Sequence, residues 1–337
     1  MRPSQVIEAL KKAVENPAVH PPVFLWGPPG AGKSSVVRQV AKTTNRALVD
    51  LRAALLDPTD IRGIPIPKDG QAVWLPPSFL PPTDSTGKWI LFLDELNLAA
   101  PLVQHACYQL VLDRRAGEYV LPTNCFIIAA GNRQEDRAGT RDMPAPLANR
   151  FLHVDFEVNI EDWTTWALAN DISPEVIAFL QLNADLLFSF DPAKDKRAFP
   201  TPRSIEFVDQ VWRMHRDMEA YVWPLMEGCV GKEWVSKFHT FLRIQAELPN
   251  IETILAGKSS VVPTRSDLRY AVAALIGTKA QVQHLEAAMR YASKLPVEQG
   301  VLLAQLLARR KELGAPLANT PAWVEWIKAN REFVIPS

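Results

Sequence analysis

Apolar residues follow two rhythms along this chain. Up to about residue 158, short continuous apolar runs alternate with stretches whose apolar residues recur every three or four positions. The runs are Val23-Phe24-Leu25-Trp26, Arg46 to Leu51, Trp89 to Leu93, Cys125 to Ala130 and Phe151 to Phe156. A strand buried on both faces reads as a continuous run, and the spacing between the runs is that of helices. Five such strands separated by helices predict a parallel sheet covered on both sides. A helix is expected ahead of them over 4–15, ended by Asn16-Pro17. Two shorter apolar pieces, Ile64 to Pro67 and Gln71 to Leu75, flank Lys68-Asp69-Gly70 and predict a β-hairpin limited by its prolines to edge pairing. Trp74 is expected to be exposed on it. Gly117 to Leu121 reads as a further short extended piece.

Beyond residue 158 only the helical rhythm remains. It predicts helices near 160–170, 174–188, 203–218, 219–247, 267–280, 281–294, 297–313 and 321–331, with a charged Asp/Lys/Pro linker over 189–202. There is no internal repeat.

Composition narrows the function classes. The 337 residues are 47% hydrophobic and 22% charged, enough for a sizeable core. The 37 basic residues balance the 37 acidic ones, whereas a sequence-independent nucleic-acid binder carries a basic excess. Cys107, Cys125 and Cys229 have neither a disulfide framework nor a metal-ligand spacing; the first two read as buried thiols. No apolar run is long enough to span a bilayer and the first residues do not read as a signal peptide, so a cytoplasmic location is expected.

The chemistry concentrates where the strands stop. Gly27-Pro28-Pro29-Gly30-Ala31-Gly32-Lys33-Ser34 fits the phosphate-binding pattern G-x-x-x-x-G-K-[ST], between a strand and a helix. Glycines let the backbone turn its N–H groups toward phosphate oxygens at the helix N-terminus. Lys33 would reach the β- and γ-phosphates, and the Ser34 hydroxyl would ligate Mg²⁺. The next strand ends in Asp94-Glu95, adjacent carboxylates suited to the metal (Asp94) and to activating a water as general base (Glu95). Asn132 closes the following strand, where an amide can orient that water or contact the γ-phosphate. Arg150 stands directly before the last strand. Arg203 lies on the first turn of a helix that Thr201 caps and Pro202 opens.

The order and spacing of these pieces over about residues 20–215 resemble those of the AAA+ ATPases and, within them, the MoxR family. The resemblance rests on the phosphate loop, Leu56-Asp57-Pro58-Thr59-Asp60-Ile61-Arg62-Gly63, Leu93-Asp94-Glu95-Leu96-Asn97, Ala129-Ala130-Gly131-Asn132, Leu147-Ala148-Asn149-Arg150-Phe151 and Thr201-Pro202-Arg203. It implies a P-loop AAA+ core with a five-stranded parallel sheet over 1–158, an α-helical lid over 159–250 and a C-terminal helical extension over 251–337. Carried over, Lys33 and Ser34 are Walker A, Asp94 and Glu95 Walker B, Asn132 sensor 1, Arg150 the arginine finger and Arg203 sensor 2. ATP and Mg²⁺ are the implied ligands. A hexameric homo-oligomeric ring is the implied assembly, and a client or adaptor protein, in many cases with a von Willebrand factor A domain, the implied partner. The hairpin within 61–76 matches an insert placed near the ring's central pore.

Two features depart from the family. Leu98 stands where an Arg is common, and Arg115 to Leu121 is too short for a long hairpin before sensor 1. Residues 251–337 match no named element and read as amphipathic helices, with Leu302, Leu303, Leu306 and Leu307 beside Arg309, Arg310 and Lys311. The leading expectation is a MoxR-type ATPase that remodels a partner protein. A nucleic-acid motor or loader on the same core would need a basic, aromatic insert, where only Arg62 and Lys68 are found. A slow ATP-gated assembly switch would have no use for a placed base such as Glu95.

Overall fold

In the computed structural model the two rhythms fold separately. The structure describes residues 1–136, 143–191, 197–245 and 247–330, so part of the 189–202 linker lies outside the described residues. The chain divides into two compact units, one built on Met1–Asn159 and the other on Ile160–Ser189 and the chain past the linker.

The first unit runs α1 (Pro3–Glu15), β1 (Val23–Trp26), α2 (Lys33–Thr43), β2 (Ala47–Arg52), α3 (Pro58–Arg62), β3 (Ile64–Lys68), β4 (Gln71–Leu75), β5 (Trp89–Asp94), α4 (Pro101–Asp113), β6 (Arg115–Ala116), β7 (Tyr119–Val120), β8 (Cys125–Gly131), α5 (Ala145–Ala148) and β9 (Leu152–Asp155). Five strands form one sheet in the order β2-β5-β8-β1-β9, every pair parallel. The alternation of side chains across a strand explains the continuous runs. Ile90 and Phe92 of β5, with Phe126 and Ile128 of β8, point into a core with Val6, Leu10, Val37 and Val40 from α1 and α2. Leu91, Leu93, Ile127 and Ala129 point to the opposite face, against Val103, Ala106 and Leu110 of α4. This strand order sets the ends of β5, β8 and β1 side by side.

Strands β3 and β4 make the expected antiparallel hairpin, apart from the main sheet. Its turn residues Asp69 and Gly70 both have positive φ, 51° and 77°, the backbone of a tight two-residue hairpin turn. Ile64 pairs with Leu75 and Ile66 with Val73, so these four share one face, while Pro65 and Trp74 share the other. Trp74 differs from expectation. It is half-buried, its ring beside Gly117 in the β6–β7 turn; the exposed apolar residues are Ile64, Ile66 and Leu75. Strands β6 and β7 form a second, very short hairpin.

The second unit is helical, and its breaks are where it departs from the sequence reading. The single helix expected over 219–247 is two, Glu219–Val230 and Lys232–Gln245, parted at Gly231 with φ 88°. That left-handed residue turns its N–H back to Glu227 O at 2.9 Å and closes the first helix. The helix expected over 297–313 stops at Arg309. Arg310 leaves helical backbone (ψ 114°), and its guanidinium donates to the carbonyls of Thr278 and Ala280, at 3.0 and 2.5 Å, which end the helix Ser266–Lys279. A short helix, Ile251–Leu255, has no counterpart in the sequence reading; Asn250 caps it by accepting from the N–H groups of Glu252 and Thr253.

Helix Ser266–Lys279 lies close against Val297–Arg309 at Gly277, where an added Cβ would stand 2.6 Å from Leu306 Cβ. Alanine is the better helix former by about 1 kcal/mol, but forcing a methyl into a filled contact costs about 1–3 kcal/mol. Packing should win. Gly277→Ala is expected to lower the urea midpoint of unfolding, and a midpoint at or above that of the parent chain would show that these helices have room to part.

Candidate active site

The phosphate-pattern residues connect the end of β1 to the start of α2. Gly30 and Gly32 have φ of 74° and 104°, a left-handed conformation that side-chain-bearing residues rarely hold. Gly27 is required for another reason: a Cβ there would press on Phe156 O at 3.0 Å. Helix α2 begins at Lys33, so its first N–H groups face the loop. Lys33 is 7% exposed, and its Nζ donates to Gly27 O at 2.6 Å, Pro28 O at 3.0 Å and Asn132 Oδ1 at 3.1 Å. The ammonium thus joins the loop after β1 to the residue that ends β8.

A second bond joins α2 to β5. Ser34 Oγ donates to Asp94 Oδ2 at 2.7 Å. Asp94 Oδ1 accepts from the Glu95 N–H at 3.0 Å, and Glu95 itself has φ 56°. Left-handed backbone at a non-glycine residue costs about 1–2 kcal/mol, and here it turns the chain sharply out of the strand. The bend is closed by Leu98 N–H donating to Glu95 O at 2.9 Å. A hydroxyl beside a carboxylate is a hard oxygen donor pair of the kind Mg²⁺ takes. Among the described residues no group of three or more His, Cys, Asp and Glu side chains is placed to hold a metal by itself.

Asn97, quoted in the motif but given no role in the sequence reading, proves to be the buried link between two of these strand ends. It is 1% exposed, its Nδ2 donates to Asn132 O at 2.7 Å, and its Oδ1 has no hydrogen-bond partner. It fits because residue 131 is glycine: a Cβ there would fall inside contact distance of Asn97 Oδ1 and 2.9 Å from Phe24 Cζ. An asparagine a few residues after a strand reads as a turn residue, so only the close approach of β8 reveals it. The Gly131-Asn132 pair was the available signal.

The structure brings Lys33, Ser34, Asp94 and Asn132 into one bonded group with Glu95 adjoining. It does not bring Arg150 there. Arg150 is exposed and precedes β9, whose first residue, Leu152, donates its N–H to Pro22 O at 2.8 Å, just before β1 begins. Arg150 therefore lies level with the start of β1, whereas the phosphate loop follows its end. Arg203 belongs to the second unit, exposed on the first turn of Pro202–His215, where Thr201 Oγ1 accepts from Ser204 N at 3.1 Å. Cys107 and Cys125 are buried as expected, and burial pushes both thiols up to about 12, which removes them as nucleophiles at neutral pH.

Residues 22–151, which lie within the first unit, match the family model of the AAA domain (dynein-related subfamily). The sequence is similar to midasin of Giardia intestinalis, 30% identical over 170 residues that make up 47% of this chain and 4% of that protein. This chain thus corresponds to a small part of that relative's length. Among solved structures, the RuvB Holliday junction branch migration motor of Thermotoga maritima matches at 19% identity with a TM-score of 0.41, covering 84% of this chain and 85% of that one. NtrX of Brucella abortus in complex with ATP matches at 17% identity with a TM-score of 0.41, covering 90% and 67%. Among the described residues no helix is long and apolar enough to cross a membrane.

Removing the Asn97 amide orphans a buried carbonyl, at a cost of about 1–3 kcal/mol. Asn97→Ala and Gly131→Ala should each destabilise the first unit. The double variant should lose less than the sum of the two, because the methyl added at position 131 then has space. A double-mutant cycle in urea that comes out additive would show that Asn97 and Gly131 do not press on each other.

Proposed function

We propose that this chain is an ATP hydrolase that works as a ring of identical subunits, hexameric as in the MoxR proteins it resembles, and remodels a partner protein. The bonded group of Lys33, Asn132, Ser34 and Asp94 carries the reading, since it gathers a phosphate-binding ammonium, an amide and an oxygen pair for Mg²⁺ at three neighbouring strand ends. Mg²⁺, held by Ser34 and Asp94, offsets negative charge on the phosphate oxygens when bound. Lys33 exchanges its carbonyl partners for the β- and γ-phosphates. Glu95 accepts a proton from the attacking water, and Asn132 orients that water toward the γ-phosphate. Arg150, remote from its own loop, serves the nucleotide of the next copy, where its guanidinium stabilises charge developing in transfer. By the resemblance, Arg203 takes the part of sensor 2.

The apolar face Ile64, Ile66 and Leu75 of the first hairpin is the surface we assign to the client; in the family the ATPase often works beside a partner with a von Willebrand factor A domain. A nucleic-acid track is disfavoured by the balanced charge and by the hairpin's few cations.

The assignment of Glu95 is tested with Glu95→Gln, whose amide accepts no proton. ATP binding and assembly should persist while turnover falls by about 10²–10⁴-fold. Lys33→Ala should instead weaken nucleotide binding itself. Hydrolysis by Glu95→Gln near the parent rate would remove Glu95 from the chemistry. Replacing Ile64, Ile66 and Leu75 together by Ser should leave basal ATPase intact and abolish remodelling. Unimpaired remodelling would place the client elsewhere.

A further inference from the structure

Arg150 is exposed, yet the turn that carries it is fastened on both sides. Trp26 Nε1 lies 2.8 Å from His153 Nδ1, and His153 Nε2 lies 2.9 Å from Ala148 O. An indole N–H can only donate, so Nδ1 is the acceptor and the ring is neutral. Its proton then sits on Nε2, which donates to the Ala148 carbonyl. Ala148 ends α5, two residues before Arg150. On the other side Phe151 is buried, its ring 5.4 Å from Phe24. Phe24 stacks on Trp26 at 4.2 Å, and Trp26 lies parallel to His153 at 5.9 Å. The strap runs the length of the β1–β9 pair, from the residue before Gly27 to the residue before Asn149-Arg150.

Magnitudes argue against a role in stability alone. His153 is exposed on an edge strand, and a hydrogen bond there adds only about 0.5–1.5 kcal/mol to folding. Orientation is more demanding: displacing a group that aids a reaction by about 1 Å lowers the rate by up to about 10²-fold.

We propose that Trp26 and His153 are positioning residues for Arg150. They hold its turn through Ala148 O, so that the root of each subunit's phosphate loop and the arginine it presents to the next subunit move as one piece. The proposal rests on the reading that Arg150 acts on the neighbour's nucleotide.

The test uses the full chain under conditions where it forms rings. His153→Phe keeps an aromatic ring and removes both bonds. It should lower kcat about tenfold with KM for ATP within about twofold, and should add no loss when combined with Arg150→Ala. His153→Gln, which can accept from Trp26 and donate to Ala148 O, should recover most of the rate. Mixed rings then decide where the defect lies. In an equal mixture with Glu95→Gln, about a quarter of interfaces pair a sound cleft in a His153→Phe subunit with a sound arginine from Glu95→Gln. Activity should therefore rise above the mean of the two parents, as it should for Arg150→Ala mixed with Glu95→Gln. If only the Arg150→Ala mixture recovers, the His153 defect sits in its own cleft and the strap proposal is overturned while the arginine reading stands. If neither recovers although mixed rings form, the arginine reading fails and the proposal falls with it.

Discussion

The Lys33 ammonium sits in a place where it must be surrounded by partners. A buried cation without oxygens around it costs several kcal/mol, so the chain has to deliver acceptors from more than one element. Two are backbone carbonyls of the loop that Lys33 itself closes, and the third is the Asn132 amide from another strand. That requirement makes β1 and β8 neighbours, keeps glycine where the loop reverses, and calls for Asn97 to hold Asn132 from behind. The cation already rests among oxygens at the distances phosphate oxygens would take. On the proposed reading, a nucleotide would substitute one set of acceptors for another and leave little to reorganise.

The same contacts show what was legible in the sequence. Strands buried on both faces announce themselves as apolar runs, and the residues at their ends are few. For that reason Lys33, Ser34, Asp94 and Asn132 are readable as a set from the sequence alone. Residues whose meaning depends on an approach from far along the chain are not. Asn97 looks like a turn residue until Gly131 is beside it. Arg310 looks like one more cation on an amphipathic helix, whereas it caps carbonyls some thirty residues earlier and breaks its own helix in doing so. Trp74 misleads for a related reason, because the period-two pattern assigns residues to two faces without saying which face is covered.

Placement at opposite ends of the sheet gives the two groups of candidate residues different neighbours. The phosphate loop and the carboxylates share the carboxyl ends of the strands, the usual position for ligands in an open parallel sheet. Arg150 stands at the amino end of the edge strand, level with residue 22. Neither group needs the other for its local geometry, yet β1 and β9 run between them and connect them physically.

The first hairpin leaves and rejoins the domain through a single narrow stem. Gly63 has φ 87°, and any side chain there would collide with the carbonyl of Leu75, so the two strands are pinched together where they depart. Among the described residues the two strands beyond the pinch form ladder bonds only with each other, while Trp74 rests beside Gly117 near their base. The ends of such a loop are already closed, and lengthening it adds an entropic cost that grows only with the logarithm of its size. The tip is thus free to diverge in length and chemistry while the sheet beneath keeps its register. A fold built this way can change the surface its hairpin presents without disturbing the residues gathered at the strand ends.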